Sequence, residues 1–416
     1  MIRLEYLFET LLAIAGLSLP FLVPNVHGKL LVALVIIGLI TKPRFLEFTN
    51  SVFFLFSILF FFQLFGIVYS KNMEYAFSYI ETSVALFAIP ITLLGKAPRL
   101  SFLRVGKMFL IGVITLNILS LFFISYDLWD YENLQSNLIA ANNIIVSIHP
   151  TLLSMYISFC IFFLTDRYFP LHQLDRIRLG WVLFSLAVLI VFLLWLNSRA
   201  GILAFLLASI FFVGYRWQGR TRIIGYASLV LFVIILVSIP FSNYRFVQAP
   251  KLVLEGDIGI DHLDPNVFPL ENRLQILKCN IELLKWPEIV YGYGTGDGRD
   301  ELQKCFAANN YSKPLAQNMD SHSEYFAQLH RHGIIGLGLF LALLFVPFRH
   351  ALRYKSPLLG AFIILFAVTA MFENVLSVQK GVTFFALFCP LLWLYAKDQF
   401  EIKAPTGPAE IPAQKA

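Results

Sequence analysis

The chain has 416 residues, 58% of them hydrophobic and only 14% charged, with 42 phenylalanines and a mean hydropathy of +0.72. That composition excludes a water-soluble globular protein and suits lipid-facing and interfacial surfaces. The net charge of +6 is scattered between apolar runs rather than gathered in one patch, so no nucleic-acid partner is expected.

Apolar runs long enough, or nearly long enough, to cross a bilayer lie at about 7–24, 29–41, 51–69, 75–95, 107–125, 144–164, 180–196, 200–214, 223–240, 333–348, 357–372 and 382–396. They predict an all-α polytopic membrane protein with about twelve transmembrane helices. Only Arg3 precedes the first run and no small-residue cleavage site stands out, so that run is expected to be an uncleaved span. The stretch 180–214 is too long for one helix. Asn197-Ser198-Arg199 interrupts it, which predicts two spans joined by a tight turn. The expected organisation is therefore nine spans in 1–240, one large loop at 241–332, three spans in 333–396, and a tail at 397–416. Pro405, Pro408 and Pro412 mark that tail as disordered.

Basic residues orient these spans. With the N-terminus inside, the inner segments hold 19 Lys and Arg, the short outer loops and span ends only Lys29, Lys71, Arg199 and Lys380, and the large outer loop nine. Long translocated loops are exempt from the positive-inside rule, so both termini are expected in the cytoplasm. Two outer segments then matter: the acidic 126–143, with Asp127, Asp130 and Glu132, and the loop 241–332.

Within that loop Leu270, Leu274, Leu277, Ile281 and Leu284 recur at helical spacing, predicting an amphipathic helix that stops at Trp286-Pro287. Gly292-Tyr293-Gly294-Thr295-Gly296-Asp297-Gly298 follows. Its glycines would let backbone N–H groups approach a phosphate, but no Walker-type Lys-Ser/Thr comes after them, and a connecting loop is expected. Cys279 and Cys305 share the outer loop and are a disulfide candidate in an oxidising compartment. No cysteine pair has metal-ligand spacing, so no metal is expected. The loop ends in Asp320–Gly336, the most histidine-rich stretch. Ser321 and Glu324 are spaced as a capping box, which would put His322 in the first turn of a helix as a neutral base beside an anion-binding terminus.

Charge inside hydrocarbon is costly and points to function. The residues in question are Glu81 in the fourth span, His149 at the start of the sixth, Arg199 at the turn between the seventh and eighth, and Glu373 and Lys380 between the last two. All fall toward the outer face, and together they predict an outward, membrane-level cavity. Either carboxylate could instead simply neutralise Arg199 or Lys380.

Two elements resemble a known family. His322-Ser323, nine residues, then Gly333-Ile334-Ile335-Gly336 is similar to the signature of O-antigen ligases, and Asn197-Ser198-Arg199-Ala200-Gly201 resembles their Ser-Arg element in an outer turn. Glu271-Asn272-Arg273 followed by Gly292-Tyr293-Gly294 resembles the arginine- and glycine-rich part of their large periplasmic loop. The resemblance implies glycan transfer at the outer face of the bacterial inner membrane, without cofactor or metal. The donor would be a polysaccharide on undecaprenyl diphosphate and the acceptor a sugar hydroxyl of lipid A–core. Polymerases and protein O-glycosyltransferases of the same superfamily share the layout, and a transporter would place an outward cationic vestibule similarly.

The residue types suit that chemistry. Displacing a lipid diphosphate from an anomeric carbon needs the charge stabilisation that Arg199 and Arg273 supply through bidentate hydrogen bonds. The acceptor hydroxyl needs a base near neutral pH, for which His322 is the candidate. Glu81, His149, Glu373, Lys380, Ser321 and Glu324 are candidate supporting residues. His330, Arg331 and His332 are alternatives to these or phosphate contacts, but two to three turns further on a place at the membrane interface is expected for them.

Overall fold

The computed structural model describes residues 2–21, 26–41, 51–93, 98–127, 148–239, 243–248, 251 and 268–403. Most of the acidic outer stretch, from 128 onward, and the Pro-containing tail beyond 403 lie outside these residues. Among the described residues, regular structure is helical throughout. The order is α1 (Ile2–Ser18), α2 (Val26–Ile40), α3 (Ser51–Phe65), α4 (Met73–Ser83), α5 (Ala85–Leu93), α6 (Pro98–Asp127), α7 (Pro150–Tyr168), α8 (Arg176–Leu196), α9 (Arg199–Arg216) and α10 (Gly219–Ser238). Shorter helices follow: α11 (Phe268–Glu282), α12 (Glu288–Tyr291), α13 (Gly298–Ala308) and α14 (Ser312–Ala316). The chain then returns through α15 (Glu324–Arg353), α16 (Pro357–Ala370) and α17 (Gln379–Lys403).

Each of the twelve apolar runs coincides with a helix, the fourth being divided between α4 and α5 at Val84. Among the described residues, seven helical stretches are long and apolar enough to cross a membrane, and three shorter apolar ones lie in α2, α3 and α16. The protein is a membrane protein on this surface. α10 exposes Ile223, Ile224, Val230, Leu231 and Ile234 and buries only Gly225 and Leu236, a face that only lipid can solvate.

α7 occupies the centre of the bundle, buried on every face from Thr151 to Leu164. Between helices already in lipid the gain comes from close packing rather than from leaving water, and small residues allow it. At Gly201 in α9 any Cβ would lie 2.3 Å from the Ser154 Cβ of α7, so the α9 backbone packs directly on the Ser154 side chain at one end. Below that contact the core is aromatic. Phe159 of α7 meets Phe362 of α16 at 5.5 Å and Phe388 of α17 at 4.7 Å between ring centroids.

The packing of α7, α9 and α15, which run parallel, with the antiparallel α16 gathers four chain reversals at one end: the start of α7, the turn 197–198, the turn 320–323 and the turn 371–378. The opposite end holds the reversals near Tyr215 and Leu352, joined by the Tyr215 hydroxyl donating to the Leu352 carbonyl at 3.0 Å. The first group forms the site.

Candidate active site

Each reversal is shaped by local chemistry. Asn197 ends α8 in the left-handed region, φ 45°, a conformation that asparagine tolerates better than most residues. Ser198 then caps α9, its side chain accepting from the Gly201 N–H at 3.2 Å, which leaves Arg199 as the first residue of the helix. His149 caps α7 ahead of Pro150, a residue preorganised for the first helical position. The close approach at Gly201 brings these two caps together, with the Ser198 and Thr151 hydroxyls 3.1 Å apart.

The turn before α15 differs from the expected capping box. Ser323, not Ser321, is the N-cap residue, and its side chain makes no cap hydrogen bond. His322 precedes the helix in the left-handed region, φ 45°, held by its backbone N–H donating to Asp320 Oδ1 at 2.9 Å. Ser321 and Glu324 instead tie this turn to the one after α16. The Ser321 hydroxyl donates to Asn374 Oδ1 at 2.9 Å, and Glu324, fully buried, accepts from the Leu376 N–H at 2.8 Å. Asn280 of α11 donates to the Ser321 carbonyl at 3.0 Å, fixing the turn from a third side.

These ties deliver Glu373 to the centre of the cluster. Its Oε1 lies 3.2 Å from His149 Nδ1 and 3.4 Å from Arg273 Nη2, and accepts from the Thr151 hydroxyl at 3.3 Å. Its Oε2 lies 3.8 Å from His322 Nδ1, which is also 3.9 Å from Asp320 Oδ1. The carboxylate is inside, at 12% side-chain exposure, while His322 is 29%, Arg273 36% and His149 49% exposed, so the cationic and basic groups line the open side.

Electrostatics follow from that arrangement. Burial would raise the Glu373 pKa, but the contact with His322 and the charges of His149 and Arg273 outweigh it and hold the carboxyl below its usual range. Burial works to lower the His322 pKa. The Glu373 and Asp320 carboxylates prevail over burial and over Arg273, and raise it. His322 is thus a stronger base than the helix-terminus expectation made it, because it sits outside the helix and beside two carboxylates. His149 goes the other way: burial lowers its pKa, only partly offset by Glu373. The His322 Nδ1 is buried and has no hydrogen-bond partner among the described residues, since 3.8 Å is a charge contact rather than a hydrogen bond.

Of the residues singled out in the sequence, His149, Arg273, His322 and Glu373 converge directly, and Arg199 stands one residue from the Ser198–Thr151–Glu373 chain. Ser321 and Glu324 position the turns rather than face the opening. Lys380 is the second residue of α17, where its carbonyl accepts from the Tyr156 hydroxyl at 2.8 Å. Glu81 is a correction. It is exposed on the face of α4 opposite buried Ala76 and Tyr79, away from the cluster. Thr151 was missed, and its place two residues after His149, at the start of an apolar run, was the only signal.

The His330–His332 stretch is also corrected: all three residues are buried. Arg331 donates to Ser377 Oγ at 3.0 Å and stacks 4.2 Å over the Tyr79 ring, and His332 pairs with Thr295 Oγ1 at 3.1 Å. The glycine-rich loop spends its N–H groups here rather than on a phosphate. Tyr293 and Gly294 donate to the His330 and Arg331 carbonyls at 2.7 and 3.0 Å, and Gly296 donates to Ser70 Oγ at 3.0 Å. Cys279 and Cys305 are joined, with Cα atoms 5.8 Å apart, and cross-link α11 to α13. Cys279, Glu282 and Cys305 also lie close enough to share a metal ion, but the disulfide consumes both sulfurs.

The O-antigen ligase family profile matches residues 184–341. Over this stretch the chain is similar to O-antigen ligases. No curated protein matches it. The O-antigen ligase match contains Arg199, Arg273, His322 and the Gly333–Gly336 pair, whereas His149, Thr151 and Glu373 lie outside it. The match supports ligase- or polymerase-type activity on lipid-linked glycans in general.

Proposed function

We propose that the protein transfers a polysaccharide from undecaprenyl diphosphate to a sugar hydroxyl of lipid A–core, at the periplasmic face of the bacterial inner membrane. The observation that carries this reading is the convergence of His322, His149 and Arg273 on the single buried carboxylate of Glu373. The resemblance of the histidine and arginine elements to those of O-antigen ligases supplies the substrate class.

The roles follow from chemistry. Glu373 faces Nδ1 of His322 and favours the tautomer with its proton there, leaving Nε2 to accept the proton of the acceptor hydroxyl. The hydroxyl oxygen forms its bond to the anomeric carbon as the bond from that carbon to the diphosphate oxygen breaks. Attack opposite the leaving group inverts the anomeric configuration. The departing diphosphate is a good leaving group that needs charge neutralisation rather than protonation, and Arg273 and Arg199 supply it. No metal or nucleotide takes part in the step as proposed.

The test is a transfer assay with purified protein in detergent, supplied with a lipid-diphosphate-linked glycan and lipid A–core, comparing wild type with His322→Ala. We expect a slower-migrating lipopolysaccharide from wild type and a loss of about 10²–10⁴-fold in the variant. A lengthened glycan still on the lipid carrier would mean a polymerase. No product at all would return the outward cluster to a transport role.

A further inference from the structure

α11 presents its apolar stripe outward. Leu274, Leu277 and Ile281, at i, i+3 and i+7, are 47%, 41% and 56% exposed. The opposite face, with Asn272, Ile276, Cys279 and Asn280, is buried, and the disulfide to α13 fixes which face that is. Lys278 is exposed on the apolar side between Leu274 and Ile281, and exposed Lys285 follows in the turn leading to Trp286. Glu282, the neighbouring acid, is drawn away and accepts from Asn309 Nδ2 at 3.0 Å. The free face is therefore hydrocarbon with two cations.

Both ends of α11 are fixed where spans stop. Near its start, Arg273 meets Glu373 in the turn just beyond α16. Past its end, Trp286 is 79% exposed, and the Tyr291 carbonyl accepts from the Tyr69 hydroxyl at 2.9 Å, four residues beyond α3. Fifteen helical residues rise roughly 22 Å, so α11 runs along this level rather than away from it. Tryptophan and tyrosine at that depth are the usual markers of the headgroup layer.

We propose that α11 lies in the headgroup layer of the leaflet at the site end, with Leu274, Leu277, Ile281 and Trp286 against acyl chains and Lys278 and Lys285 on the phosphates of anionic lipids. The occupant of this face is the bilayer surface itself. Because Arg273 is carried on the same helix, seating α11 on lipid sets the height of that arginine relative to Glu373.

The test uses the full chain in nanodiscs of phosphatidylcholine, with or without phosphatidylglycerol. Single nitroxide labels at Ile281→Cys or Leu274→Cys are compared with one at Lys304→Cys, an exposed position on α13. Collision with oxygen, enriched in lipid, is measured against collision with a water-soluble nickel chelate. We expect the oxygen-to-nickel ratio at 281 and 274 to exceed that at 304 by several-fold, to rise further with phosphatidylglycerol, and to lose that rise in a Lys278→Gln/Lys285→Gln background. A water-like ratio at both α11 positions overturns the proposal, as does shielding from both reagents, which would mean that protein covers the face. Indifference to phosphatidylglycerol overturns the assignment of the lysines. The readout needs no transfer activity, so its outcome stands apart from that of the proposed reaction.

Discussion

Glu373 is the residue on which the site turns, since a buried carboxylate here faces two histidines, an arginine and a hydroxyl at once. Its contact and its charge both raise the His322 pKa, with a consequence for pH dependence. A histidine base works deprotonated, so activity should rise with pH through the raised His322 pKa. In Glu373→Gln the carboxylate contact is lost while burial, Asp320 and Arg273 remain, so that pKa falls. We expect kcat/KM to drop by roughly 10²–10⁴-fold and its acidic limb to move to lower pH. A limb that stayed in place in the pH–rate profile would remove Glu373 from the reaction. Arg273→Lys keeps the charge but loses the planar fork, and should cost about 10²-fold in transfer with thermal stability retained. Unaltered rates in both Arg273→Lys and Arg199→Ala would end the diphosphate-clamp idea.

At the scale of elements, the kink in α15 decides where the histidine turn sits. Gly333 lies at φ 62°, ψ −160°, a region essentially closed to other residues, and a Cβ there would be 2.2 Å from the Val290 carbonyl oxygen. Gly333→Ala must therefore either unseat α12 or straighten α15, at a cost of at least about 1–3 kcal/mol. We expect a lower unfolding temperature together with lost transfer. An unchanged melting curve would show that the contact yields freely. The Cys279–Cys305 bond acts on another element, closing a loop with a sequence separation of 26. Replacing both cysteines by serine should destabilise the loop by about 3 kcal/mol and hasten proteolysis within 268–316, read by limited digestion.

At the scale of the molecule, the outer surface of α10 and the distribution of basic residues belong to one physical account, lipid as solvent. The asymmetry of Lys and Arg predicts that both chain ends share the cytoplasmic side. A green fluorescent protein fused after Lys403 should fluoresce and an alkaline phosphatase fused there should be inactive; the reverse pattern would invert the topology and turn the Glu373 cluster toward the cytoplasm.

Much of this was legible in the chain alone, for a reason specific to membranes. Twelve apolar runs declare their helices because backbone polar groups in lipid must be satisfied locally, and a charge such as Arg199 or Glu373 between such runs is too costly to be incidental. Periodicity likewise gave α11 its extent, but not its orientation. Its apolar stripe reads the same whether it faces protein or lipid, and only the packing of Ile276 and Cys279 against α13 decides between them. The same limit applies to Glu81 and Glu373. Both are single carboxylates at the expected outer level, and what separates them is the exposed helix face that carries Glu81 and the set of hydrogen bonds from Ser321, Asn280 and Leu376 that holds the turns around Glu373 together. The spans follow from local chemistry along the chain, whereas the site joins Thr151 to Ser198, 47 positions away, and to Glu373, 222 away, which only the packing of α7, α9, α15 and α16 brings within reach.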